Sequence, residues 1–217
     1  MFVYQGPPLP QPPVTRDRIL DTAEALFAER GFAGTAVRDI AAAVDLTAAS
    51  LYNHFAGKEA LYAAVLERGM RPLMDVLEDL AGHGHERTAL DATLGRAMAH
   101  LARRPNVARL IYHEALTGAA HLVPLTRTWI QPILSGALGE MKREVGSPWA
   151  EEEHRRVVAM WVQLIAGYFA VAPLVGELLG EDPLAPATVD RQTEFLRKLA
   201  RLIMGAHPPD ETKEETR

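Results

Sequence analysis

Between Thr35 and Lys58 the chain reads TAVRDIAAAVDLTAASLYNHFAGK, with Arg38, Thr47, Ser50, Tyr52, Asn53, His54 and Lys58 among its hydrogen-bonding side chains. None of these is arranged for covalent chemistry. The chain has no cysteine, which excludes disulfides, thiolate metal sites and a thiol nucleophile. No phosphate-cradling glycine loop and no serine elbow occurs. A grouping of this kind suits recognition of a surface with patterned donors and acceptors. Tyr52 and Asn53 offer contacts to base edges or phosphates, and Ala48 and Ala49 allow only apolar contacts, such as those to thymine methyls.

The elements that must carry these residues follow from spacing. Val37, Ile40, Ala41 and Val44 share one helical face, and Thr35 stands where a cap for that helix is expected. Residues 43–46 form a turn, and Thr47 caps a helix expected over Thr47–Phe55 that buries Leu51 and Phe55. A helix this short is unstable by itself. Its value lies in presenting an outer face, and the major groove of DNA is the receptor that fits one. A preceding helix is expected from about Thr15 to Arg30, apolar at Ile19, Leu20, Ala23, Leu26 and Phe27, with Gly31 as its stop.

This pattern resembles the DNA-binding domain of the TetR family of bacterial repressors. The resemblance runs through Ile19-Leu20, Ala23, Leu26-Phe27, Gly31-Phe32, Thr35, Val37, Ile40-Ala41, Leu46-Thr47, Leu51-Tyr52, His54-Phe55, Lys58-Glu59 and Leu61. It implies that Arg38 reaches a base edge, where arginine pairs bidentately with guanine; a surface pair with Asp39 or Asp45 is the alternative. It also implies phosphate-positioning roles for Thr47, Ser50, His54 and Lys58, with capping or local packing as the alternative. Helix N-termini at Thr35, Thr47 and Gly57 offer backbone N–H groups to phosphates. Three positions depart from the family pattern: Asp45 stands where the turn usually has glycine, Ala36 lacks a phosphate-binding hydroxyl, and Ala48-Ala49 leave operator sequence undefined.

The chain has 217 residues, 48% of them apolar and 24% charged, with a net charge of −5. From Val14 to Arg68, six Lys/Arg face eight Asp/Glu. Phosphate attraction supplies most non-specific affinity, so weak binding to random DNA is expected. No basic stretch leading into an apolar core marks a secretory signal, and a cytoplasmic location is the expectation.

The predicted organisation is all-α. Residues 1–13, with five prolines, form a disordered arm; 14–61 the helix-turn-helix domain; 62–206 a helical-bundle domain for ligand binding and dimerisation; 207–217 a disordered tail. Helix 4 starts near Lys58 and should kink or divide at Pro72. Gly82–His85 is a linker. Further helices are expected at 86–103, 105–117, 121–145, 149–179 and 187–205, with Pro105 and Pro148 in first turns and Ser147 as a cap.

Residues 157–176 have one clearly polar side chain, Gln163. They read either as a bilayer span or as a helix buried on all sides. The resemblance places helices 149–179 and 187–205, including Phe195, Leu199 and Leu202, at a homodimer interface. It also implies a small-molecule effector, apolar or aromatic in the absence of a basic cluster, with Met98, Tyr112, His113, Trp129, Trp161, Tyr168 and Phe169 as pocket candidates. Plain core is the alternative for each. Effector binding would then shift helix 4. No cofactor, metal or catalytic group is expected: Glu151-x-x-His154 is a single copy of a motif that di-iron bundles need twice, and His83 and His85 lack a third ligand. A helical-bundle enzyme or a membrane-tethered regulator are the alternatives of other classes.

Overall fold

The computed structural model describes residues 16–82, 87–132, 135 and 150–203, and every element in them is helical. The elements are α1 (Arg16–Gly34), α2 (Val37–Ala43), α3 (Ala48–Tyr52), α4 (Lys58–Gly82), α5 (Arg87–Arg103), α6 (Pro105–Leu116), α7 (Leu122–Leu125) running into a π-helical turn (Thr126–Ile130), α8 (Glu151–Ala170), α9 (Ala172–Leu179) and α10 (Pro186–Ile203). The proline-rich arm, the proposed Thr15 cap, the His83–His85 linker, Ser147, Pro148 and the C-terminal tail lie outside the described residues, as do residues 133, 134 and 136–145 of the helix expected over 121–145. Two compact units are present, Met1–Val65 and Leu66–Arg217, and the division falls inside α4.

The first unit closes around apolar groups spaced as an amphipathic helix requires. Ile19, Leu20, Ala23 and Phe27 of α1 meet Ile40, Ala41, Val44, Leu51, Phe55, Leu61 and Tyr62, all buried. Phe27 meets Tyr62 edge-on at 4.7 Å, and Phe32 lies 4.9 Å from the same ring. The path of α1 breaks at Gly31, whose φ of 70° and ψ of 173° suit only a residue without Cβ.

Thr35 does not cap α2. It is 1% exposed, and its hydroxyl lies within donating distance of the Gly31 (2.9 Å) and Leu26 (3.2 Å) carbonyl oxygens. The hydroxyl thus serves the end of α1, while Ala36 takes the cap position of α2 with no side-chain bond. Carbonyls at a helix C-terminus lack partners, and burial made satisfying them the stronger demand.

In the second unit Met98, Leu101, Val107, Ala108, Tyr168, Phe169, Val189 and Leu196 form the core, joined at its edge by Leu73, Ile111, Trp161 and Ile165. α5 packs on α10 and α6 on α8. Pro72 neither divides nor ends α4, which is continuous to Gly82. Close packing supports this stretch. A Cβ on Gly69 would stand 2.8 Å from a Val107 methyl, and the buried His100 places Nε2 2.9 Å from the Gly69 carbonyl oxygen.

The helix expected over 149–179 is broken. α8 and α9 meet at Val171 with a bend of 83°, because Pro173 cannot donate into the preceding turn and fits the first turn of a new helix. No single helix among the described residues is long and apolar enough to cross a membrane. Within one chain residues 157–176 are not buried on all sides, since Val162 and Leu174 are more than half exposed, a state that leaves open their burial at a dimer interface.

Candidate nucleic-acid interface

The segment from Ala42 to Phe55 builds its own outward face. At the end of α2 the Asp45 N–H donates to the Ala42 carbonyl (3.2 Å) and the Leu46 N–H to the Ala41 carbonyl (2.9 Å). These are the paired bonds of a Schellman motif, which demands a left-handed residue between them. Asp45 supplies it at φ 60°. Its short polar side chain tolerates this region better than most. Thr47 then caps α3, its hydroxyl oxygen accepting from the Ser50 N–H at 3.1 Å and lying 2.9 Å from the Ser50 hydroxyl.

α3 is shorter than the expected Thr47–Phe55, ending at Tyr52. After it the N–H groups of both His54 and Phe55 donate to the Leu51 carbonyl (2.9 and 3.1 Å). Leu51 and Phe55 anchor the segment inward. Tyr52, Asn53, His54, Thr47 and Ala49 are exposed, and Ala48 and Ser50 half-buried. One short segment thus gathers seven of the ten proposed contact residues on a surface that water reaches.

The other three fare differently. Arg38, second residue of α2, has a side chain 85% exposed, and its nearest acid is Asp39 at 3.6 Å. Such a loose pair costs little to exchange for another acceptor. Asp45 is not its partner, because that carboxylate lies 3.3 Å from Arg18. Lys58 opens α4 with Nζ 4.3 Å above the Phe32 ring, a cation–π contact that holds the ammonium over this surface. Thr35 is removed from the set, since its buried hydroxyl is spent on α1.

Two residues of this region escaped the sequence reading. Arg18 holds Asp45, and Arg16 lies 4.8 Å over the Phe55 ring. The available signal was a pair of arginines in the first turn of α1, but their partners are far away in sequence.

The described pocket candidates of the second unit divide into buried and half-buried groups. Met98 and Phe169 are fully buried core. Tyr168 is buried, packs edge-on against Phe169 at 5.1 Å and donates to the Pro183 carbonyl at 2.9 Å. Burial pushes its phenol above the usual value of 10.0, and Glu181 and Asp182 add to this against the opposing pull of Arg191. Tyr112, His113 and Trp161 are half-buried, with the Tyr112 hydroxyl 3.5 Å from the Gln163 carbonyl.

The side chains of Trp129, Glu151 and His154 lie outside the description, and no metal-binding group of acids and histidines occurs among the described residues. A separate surface concavity of about 560 Å³ is lined by Arg109, Ala172, Pro173, Gly176, Glu177 and the loop 180–184. None of the described pocket candidates, Met98, Tyr112, His113, Trp161, Tyr168 and Phe169, lines it.

Residues 19–65 match the family model described as bacterial regulatory proteins, tetR family. The HTH-type transcriptional repressor KstR2 of Rhodococcus jostii is 38% identical over 78 residues, 36% of this chain and 38% of that protein. The negative transcriptional regulator IcaR of the icaADBC biofilm operon in Staphylococcus epidermidis is 39% identical over 62 residues, 29% of this chain and 34% of that protein. The matched region thus spans only about a third of these relatives' length. The solved structure of a TetR-like transcriptional regulator from Rhodococcus sp. RHA1 superposes with a TM-score of 0.61 at 19% identity, covering 88% of this chain and 96% of that one. At that identity the match speaks for the fold.

Proposed function

Through residues 19–65 this chain belongs to the tetR family of bacterial regulatory proteins, and from that premise we propose that it is a homodimeric, cytoplasmic repressor of transcription. Each subunit places α3 in a major groove, with half-sites about one helical turn apart, roughly 34–36 Å, or a small multiple. The observation that carries this reading is the partition of residues 47–55. Leu51 and Phe55 are buried while Tyr52, at the end of a five-residue helix, and Asn53 and His54, just after it, are exposed. A segment so short gains nothing for the fold by exposing a tyrosine that is 52% accessible. It gains a reading head.

Arg38, Tyr52 and Asn53 carry base readout, and Thr47, Ser50, His54 and Lys58 position phosphates. Ala48 and Ala49 accept thymine methyls. Both KstR2 and IcaR are named as negative regulators, which supports repression over activation. An apolar or aromatic effector bound in the second unit, beside the half-buried Tyr112, His113 and Trp161, releases the operator. DNA and effector must then weaken each other's binding by the same factor.

Fluorescence anisotropy on DNA from upstream of the protein's own gene, with salt varied, tests the core of this reading. Salt-sensitive binding that weakens by about 1–3 kcal/mol in Arg38→Ala, on that DNA and not on random duplex, is the expected result. Equal loss on both duplexes makes Arg38 a phosphate contact. Absence of binding at low salt to the upstream DNA, and to duplexes selected from the whole genome, rejects the function.

A further inference from the structure

We infer that Arg18 and Arg16, in the first turn of α1, are positioning residues that hold the two ends of the reading segment, Arg18 through Asp45 before α3 and Arg16 through Phe55 after it. The consequence for DNA rests on the function proposed above; the positioning rests on four observations of its own. α3 has five residues, and a helix that short is not held by its own hydrogen bonds. The turn before it contains Asp45 at φ 60°, a conformation that glycine adopts freely and a side chain resists. The Asp45 carboxylate receives the Arg18 guanidinium at 3.3 Å across 27 residues of sequence. Beyond α3, Phe55 is 5% exposed, and the Arg16 guanidinium covers its ring at 4.8 Å.

Residues two apart on a helix do not share a face, so the side chains of Arg16 and Arg18 diverge. Divergence lets one reach the turn before α3 and the other the residue that follows it. The pair of Arg18 and Asp45 is exposed, 42% and 68% by side chain, and exposed pairs add little to overall stability. Its effect is geometric. It restrains a turn whose left-handed residue is not glycine, and it directs the charge of Arg18 onto a carboxylate instead of onto phosphate. Arg18 therefore governs how well α3 is aimed, and leaves the number of phosphate contacts alone.

The test uses the full chain, a duplex selected from a random library by the wild-type protein, and an unselected duplex of the same length. Arg18→Ala, Asp45→Asn and Arg16→Ala should each weaken binding to the selected duplex by about two- to fivefold. The Arg18→Ala/Asp45→Asn double variant should be no weaker than the worse single, since each single already breaks the same contact. The slope of log affinity against log salt should not change. A slope reduced by about one unit in Arg18→Ala or Arg16→Ala would overturn the inference for that arginine, since that is the mark of a lost phosphate contact. Additive effects of Arg18→Ala and Asp45→Asn overturn the clamp.

Hydrogen exchange on the free protein separates this inference from the DNA reading. Amides of residues 47–55 should exchange faster in Arg18→Ala and Asp45→Asn, those around Phe27 should not, and Arg18→Lys should restore part of the protection. Unchanged exchange in 47–55 overturns the positioning role. If the wild-type protein selects no duplex, the DNA reading fails, and exchange in 47–55, measured for Arg16→Ala as well, decides whether each arginine holds α3.

Discussion

The two units spend their apolar residues in opposite ways. Among the described residues, the first buries or half-buries its large apolar side chains except Tyr52, half of it exposed on the reading segment. The second leaves Val162, Leu174, Leu178, Phe195 and Leu202 more than half exposed on α8, α9 and α10. A soluble surface rarely carries so many large apolar groups without a partner for them. The contrast teaches that the first unit is complete as a fold and incomplete only as a reader, whereas the second is unfinished until something covers it. A second copy of this chain is the proposed cover.

Mutation can break that contrast most sharply at its two extremes. Phe27→Ala removes a fully buried ring from the first unit and should cost about 3–5 kcal/mol in urea denaturation. Phe195→Glu with Leu202→Glu changes side chains that are 58% and 72% exposed, so one chain's fold should tolerate them. Sedimentation should nevertheless show monomers for this variant and dimers for the wild type. A double variant that stays dimeric would move the interface away from α10.

Packing inside the second unit predicts a middle-sized effect. Gly69→Ala drives a new methyl to within 2.8 Å of Val107, and overpacking of this kind costs about 1–3 kcal/mol. Circular dichroism melts would register it as a lower Tm, and an unchanged melt would mean that α4 and α6 have room to separate there.

Two threonines sharpen the comparison within the first unit. Thr47→Ala removes the cap of α3 and should cost about 0.5–2 kcal/mol; exposed as this cap is, the low end of the range is expected. Thr35→Val instead leaves the buried Gly31 and Leu26 carbonyls without that donor, at about 1–3 kcal/mol. The larger loss should therefore come from the buried threonine.

The smallest effect concerns pH. The folded protein holds the Tyr168 proton more tightly than the unfolded chain does. Its contribution is complete below about pH 10 and is lost as pH rises from there through the higher folded value. Tyr168→Phe should abolish that alkaline slope while losing the bond to Pro183, about 0.5–1.5 kcal/mol. Denaturation at pH 8 and pH 11 separates the two terms.

Much of the first unit was readable before any coordinates. Apolar spacing placed α1, α2 and α3 to within a few residues, Thr47 announced its cap, and Asp45 announced a left-handed turn. Each of these is decided by neighbours within about five positions, where propensity and capping act. The second unit was readable as helices and little more. Met98, Tyr168 and Phe169 carry no mark that separates a core residue from a pocket wall, because their types suit both. The break at Val171 was hidden in an apolar run whose composition satisfied a long helix, although Pro173 was in plain view.

What the amino-acid order determined by itself was local: all-α character, the bounds of most helices, the left-handed turn at Asp45 and the polar outer face of α3. What only the tertiary structure decided was the partner of each versatile group. Thr35 could cap α2 or close α1, and the reversal of the chain at Gly31 chose the second by bringing two carbonyls to its hydroxyl. Asp45 could pair with Arg38 or with a residue yet unseen, and packing of α1 against the turn brought Arg18 to it across 27 positions. Short-range preferences act through bonds already made, so they can be read in order. Long-range pairings depend on which surfaces the core has forced together, and no single segment contains that information.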